Sequence, residues 1–216
     1  MKTYLQLVNN ILIRLREREV ASINETSYSK LIGLFVHDSI EMVENAWGWS
    51  SLRETLTLTT TADVFNYALT DSGDKSVVLD VINGNSDSFM QYQTAHWFNQ
   101  TFLNNTPATG SPTSYVYNGL NSSGDTQVDI YPIPDGVYTL YFNVIKRSPA
   151  DLADTDTIKV PFLPVQALAY AMALEERGED GGVSPVSAKA LAQNYLSDAI
   201  ALDASKHPEE LIWEAP

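Results

Sequence analysis

Leu52-Arg53-Glu54-Thr55-Leu56-Thr57-Leu58-Thr59 is the stretch on which the reading of the fold turns. Its leucines alternate with polar residues, the period of two expected of a strand with one buried face. Upstream the period is different. Leu31, Phe35, Ile40, Val43 and Trp47 recur at helical spacing and predict a helix over residues 28–47, interrupted only by Gly33. A helical region therefore gives way to a β-rich one near residue 51.

Working outward towards the amino terminus, Thr3 and Gln6 have the spacing of a capping box, and Tyr4, Val8, Ile11 and Leu15 follow on one face. A first helix is expected from residue 4 to about 18. Arg14, Arg16 and Arg18 crowd its end, where cations complement the helix dipole, so the cluster reads as structural rather than as a nucleic-acid patch.

Towards the carboxyl terminus the period-two pattern continues. Phe65, Tyr67 and Leu69 alternate, residues 77–82 are an apolar run ending at Asn83-Gly84, and three further strands are expected around Tyr115 to Tyr117, Val128 to Tyr131 and Tyr138 to Ile145. Pro132-Ile133-Pro134-Asp135-Gly136 is expected to close the last pair as a hairpin. Residues 86–103 fit neither period, and a short helix or an irregular segment packed on the sheet is expected there. Helical patterns then return. One helix starts near Pro164 and ends before Gly178; the last runs from Ser184-Pro185 to about Ser205, with Leu191, Tyr195, Ala199 and Leu202 as its inward face.

The fold class expected is α+β: an antiparallel helical bundle built from both termini, with a central antiparallel β-rich insertion. Residues 1–50 and 150–205 would form the bundle, because four apolar stripes need partners. Residues 51–149 would form the insertion, and residues 206–216 a C-terminal arm.

Composition narrows the function. A chain of 216 residues buries roughly 70% of its unfolded surface, enough for a sizeable core. There is no cysteine, which removes disulfides, thiolate nucleophiles and sulfur-ligated metals, and suits folding in a reducing cytoplasm. Asn9, Asn10 and Arg14 interrupt the apolar residues near the start, so neither a signal peptide nor a membrane span is expected. The formal charge is −14, which argues against a protein that grips phosphates and reads either as a solubilising surface or as one that must not stick to DNA.

Chemistry-bearing constellations are missing. His37, His96 and His207 lack a partner at metal-ligand spacing, and Asp151, Asp154 and Asp156 lack the glycine and terminal glutamate of a calcium loop, so they read as a solvated linker. Glu41 and Glu44 read as the wet face of a helix. Tyr92, Trp97, Phe98 and Phe102 have no interleaved Lys or Arg and read as core or interface rather than a base-stacking platform. With no phosphate loop, nucleophile elbow or dinucleotide fingerprint, no cofactor, no metal and no enzymatic activity are expected.

The order of features carries a resemblance. The opening Tyr4-Leu5-Gln6-Leu7-Val8-Asn9-Asn10-Ile11-Leu12, the second helix ending at Trp47-Gly48-Trp49, Ser111-Pro112-Thr113-Ser114-Tyr115 and Ile130-Tyr131-Pro132-Ile133-Pro134-Asp135-Gly136 are among its motifs. Arg147-Ser148-Pro149-Ala150-Asp151-Leu152 and the helix over residues 161–178 continue it. In this pattern the chain resembles the head-to-tail adaptors, or tail tubular protein A-like family, of short-tailed bacteriophages.

That resemblance implies a structural virion subunit at the head-tail junction, made in the host cytoplasm. It implies a homo-oligomeric ring, a dodecamer, between the portal protein and the tail nozzle protein, through whose lumen DNA passes without sequence-specific binding and with no membrane contact. It also suggests that the arm docks on the portal or on a neighbouring adaptor through Leu211, Ile212 and Trp213; folding back on its own subunit is the alternative. Two rival functions stand beside this reading. One is another phage neck or tail-completion protein, and the other a hydrolase needing His37, His96 or His207 near a carboxylate in a pocket.

Overall fold

The structure, a computed structural model, describes residues 1–103, 105–178 and 184–206. In chain order its elements are α1 (Tyr4–Arg14), α2 (Ser27–Ala46), β1 (Arg53–Thr59), β2 (Asn66–Ala68), β3 (Val77–Asn83), β4 (Ser88–Phe89), β5 (Gln91–Tyr92), α3 (Ala95–Leu103), β6 (Ser114–Leu120), β7 (Thr126–Tyr131), β8 (Thr139–Ile145), α4 (Phe162–Arg177) and α5 (Pro185–Ala204). The protein is mixed α+β. It divides into two compact units, Met1–Ser51 with the chain from Ser148 onward, and Leu52–Arg147. Residues 179–183, between the last two helices, and the arm beyond Lys206, with Leu211, Ile212 and Trp213, lie outside the described residues.

In the helical unit, α1 begins at Thr3, whose Oγ1 accepts from the Gln6 amide while Gln6 Oε1 accepts from the Thr3 amide. It ends four residues sooner than its periodicity predicts. Arg16 turns to φ 60°, and the Asn9 side chain bonds both the amide and the carbonyl of Val20, at 3.0 and 2.9 Å, so residues 16–20 fold back beside the helix. Leu7, Val8, Ile11 and Leu12 of α1 and Ile32, Val36, Ile40 and Val43 of α2 are buried. α2 packs on both α1 and α4, and α5 packs on α4.

The β unit holds two four-stranded sheets, in the orders β1-β8-β3-β4 and β2-β7-β6-β5. Leu140, Phe142, Val144 and Val81 from the first and Tyr115, Val128 and Ile130 from the second share one core. The hairpin expected at residues 132–136 is not formed. β7 pairs with β6 and β2, β8 with β1 and β3, so this linker carries the chain from one sheet to the other. Pro132 and Pro134 have no amide to donate to a ladder, which suits a crossing segment better than a turn. The insertion is also not wholly antiparallel, since β5 and β6 pair in parallel over Gln91↔Ser114 and Tyr92↔Tyr115.

The ambiguous region, residues 86–103, resolves into β4, β5 and α3. Two-residue strands are too short to show any period. The α3 aromatics pack together: Phe98 stacks on Phe102 with ring centres 4.0 Å apart, Phe65 lies against Phe102, and Trp97 and Phe102 meet Tyr131 edge-on.

One glycine fixes how α1 meets α2. The Tyr4 hydroxyl donates to the Gly33 carbonyl at 2.8 Å, and a Cβ at position 33 would lie 2.8 Å from Ile23 Cγ2 and 3.3 Å from Tyr4 Oη. Helix propensity alone would make Gly33→Ala stabilising by about 1 kcal/mol. Overpacking a core costs about 1–3 kcal/mol, so the variant is expected to lose about 1 kcal/mol net, read as a lower midpoint in urea.

Candidate docking groove on the helical unit

The sequence assigned the Leu191, Tyr195, Ala199 and Leu202 stripe of α5 to the interior. In the structure Leu191 is 46% exposed and Leu202 68%, while the residues α5 buries are Ala188, Ala192 and Asp203. The buried face is rotated from the predicted one. On α4, Ala167, Ala169, Ala171 and Ala173 are buried as well. Periodicity detects apolar stripes, and α5 carries apolar residues on more than one face, so spacing alone does not choose which face turns inward.

The outward stripe borders a groove of about 520 Å³ within the helical unit. Trp49, Pro161, Leu163, Tyr195 and Leu202 are among the residues that line it. Leu163 is 48% exposed. The charged groups around it are Lys159, Asp198, Asp203 and Lys206, two of each sign. In a chain of charge −14 this is a locally balanced patch.

A polar node fixes this wall. Asp203 is almost fully buried and accepts from the Ser50 hydroxyl at 2.6 Å, the Ser50 amide at 2.9 Å, Lys206 Nζ at 3.0 Å and the Trp47 indole at 3.2 Å. The Trp49 indole donates to the Val43 carbonyl at 2.7 Å. The Trp47-Gly48-Trp49-Ser50 turn after α2 is thereby tied to the end of α5. Burial opposes the charged form of Asp203, but the Ser50 bonds and Lys206 outweigh it and hold the carboxyl down at about 2.

The residues singled out for chemistry are not brought to this groove. His37 is half-buried on α2 in the helical unit, His96 is exposed on α3 in the β unit, and His207 lies outside the described residues. Among the described residues no three metal-ligating side chains gather, and no helix is long and apolar enough to cross a membrane.

Three acidic residues differ from their sequence reading. Glu44 is not on a wet face: it is 2% exposed and accepts from the Ser148 amide and hydroxyl at 3.0 and 2.5 Å. Asp154 accepts from the Ile23 amide through its side chain, and its carbonyl takes the Leu5 amide, while the Asp156 carbonyl takes the Tyr4 amide. The supposed solvated linker thus pins the start of α1. The partners are more than a hundred residues away in sequence, so no local signal marks them.

A family model described as SU10 adaptor protein matches residues 2–210. Among solved structures, a chain from the neck of an empty GTA particle computed with C6 symmetry matches at 11% identity and a TM-score of 0.30, covering 90% of this chain and 92% of that one. No curated protein matches the sequence.

The Asp203 node sets an acid dependence. A carboxyl held below its unfolded value contributes stability above about pH 4 that disappears as pH falls towards 2. Asp203→Asn is expected to cost about 2 kcal/mol at pH 7, and denaturation curves of the two proteins should converge near pH 2.

Proposed function

This chain belongs to the SU10 adaptor protein family, and from that premise we propose that it is a structural, non-catalytic subunit of a phage neck, set at the head-tail junction of the virion. The observation that carries the reading is a family match that spans both units. The physical features agree with a part that works by being held between neighbours. An apolar stripe stands exposed on α5, and a helix with apolar residues on more than one face is at home where both sides are covered.

In its full form the proposal is a homo-oligomeric ring, a dodecamer as in the tail tubular protein A-like adaptors, between portal and tail nozzle proteins. The chain would be made in the host cytoplasm and join the ring there. Both chain ends build the helical bundle, with residues 51–149 as its β-rich insertion. A charge of −14 repeated around a lumen repels a duplex, which lets DNA pass without being bound. Residues 206–216 form the arm that docks on the portal, with Trp213 as anchor, since a desolvated aromatic often carries about 2 kcal/mol or more of an interface. Repetition around the ring turns such modest anchors into avidity.

Cryo-microscopy of particles tests the position, and a subunit found elsewhere in the neck would replace this reading with a tail-completion role. Deleting residues 207–216 is expected to leave the helical content unchanged and to lower attachment to portal-bearing heads at least tenfold. Undiminished attachment by the shortened chain would remove the arm from docking.

A further inference from the structure

We propose that the free edge of β1 pairs with β1 of a second copy, antiparallel about Thr57, so that a sheet of one subunit continues into that of the other. The proposal goes beyond the reading above and does not rest on it. A two-fold pairing closes on two copies and is not repeated around a ring, so it belongs to the subunit before assembly.

The first observation is the edge itself. One sheet ends in β1 and β4, the other in β2 and β5. β4 and β5 are two residues long and β2 three, whereas β1 runs for seven residues against β8 in unbroken register. Natural sheets blunt their edges with short strands, lysine, proline or bulges, and β1 carries none of these. Its outward row follows from the ladder. The Lys146 amide donates to the Leu52 carbonyl and the Thr60 amide to the Tyr138 carbonyl, so residues 52, 54, 56, 58 and 60 bond towards β8. The amides and carbonyls of Thr55, Thr57 and Thr59 therefore point away from it. Among the described residues no backbone bond satisfies them, and all three threonines are exposed.

The second is self-complementarity. Among the described residues the other edges are too short to match β1, and β1 matches itself. With Thr57 opposite its own copy, Thr55 faces Thr59 of the second subunit and Leu56 faces its Leu58. These leucines pack on the core yet are only half-buried, and the pairing covers what is left of them. Centring the pair on Leu56 instead would set Leu58 against Glu54, which selects the first register. Charge agrees, since Glu54 falls opposite Thr60 and Arg53 opposite Thr61, and no carboxylate faces another along the seam. One strand pair buries less than the roughly 1,200 Å² of a stable interface, so the contact is transient and is read by trapping it.

The chain has no cysteine, so each introduced thiol reports a single position. Full-length Thr55→Cys, Thr57→Cys and Thr59→Cys proteins are oxidised gently at equal concentration. Paired Cα atoms lie about 5.5 Å apart, within disulfide range, whereas positions 55 and 59 each lie about 13 Å from their own copies. Thr57→Cys is expected to form linked dimer about tenfold faster than either of the other two alone. Mixing Thr55→Cys with Thr59→Cys is expected to restore linking, with the 55–59 bridge identified by peptide mass spectrometry.

Proline at position 57 removes only an outward amide. Thr57→Pro in the mixed pair is therefore expected to keep the circular dichroism of the parent and to abolish the 55–59 bridge. Equal rates for the three single-cysteine proteins would overturn the pairing whether or not the proline variant folds, and so would a 55–59 bridge undiminished in a folded proline variant. A mixture of Thr55→Cys with Thr57→Cys that links 55 to 57 faster than 57 to 57 would overturn the register.

Discussion

The last helix, α5, buries alanines and leaves Leu191 and Leu202 outside, and much of what distinguishes this molecule follows from that. Each buried methylene adds about 0.8 kcal/mol, so a helix whose fully buried apolar residues are Ala188 and Ala192 draws less from burial than one that buried its leucines would. Its end is also held by polar bonds, in which Asp203 accepts from Ser50 and Trp47. Its one described ion pair along α4, Lys189 with Glu175, is exposed and contributes little. The leucines that would have sealed a stronger seam face the other way.

The same economy of burial explains how an acidic chain uses its carboxylates. Several of them are not surface charge at all. Glu44 takes two donors from Ser148, Asp203 holds the turn after α2, Asp154 takes the Ile23 amide, and Asp129 accepts from Asn66 across two paired strands. Charge-assisted bonds of this kind to amides and hydroxyls are about twice as strong as neutral ones, and each joins segments that packing alone would leave loosely connected. Net charge read from composition therefore overstates what the surface presents.

Elements with strong local signals were legible in the sequence. Thr3 with Gln6 marks the start of α1, Gly178 in the left-handed region ends α4, and the alternation from Leu52 becomes β1 nearly residue for residue. Partnership was not legible. β7 and β8 each read as strands, but nothing in either says that they belong to different sheets, and Tyr195 and Leu202 read as a core stripe because spacing is blind to which of two apolar faces wins. The groove was missed for that reason, since it is made of the residues assigned to the interior. The one usable signal was the surplus itself, a helix with apolar residues on faces that cannot all turn inward.

That surplus places a limit on any contact the groove makes before assembly. A segment that occupies it in 99 of every 100 free molecules lowers the apparent affinity of any competitor for either surface about a hundredfold, or about 2.7 kcal/mol. A contact much tighter would keep the subunit from joining its neighbours, and one much weaker would leave Leu163 and Leu202 open to non-specific association at the concentrations reached during production. A helix that buries alanines and exposes Leu191 and Leu202, beside a charge-balanced groove, is suited to the interval between these limits. It offers enough apolar surface to be covered in solution and too little to prevent exchange when several copies meet their partners at once.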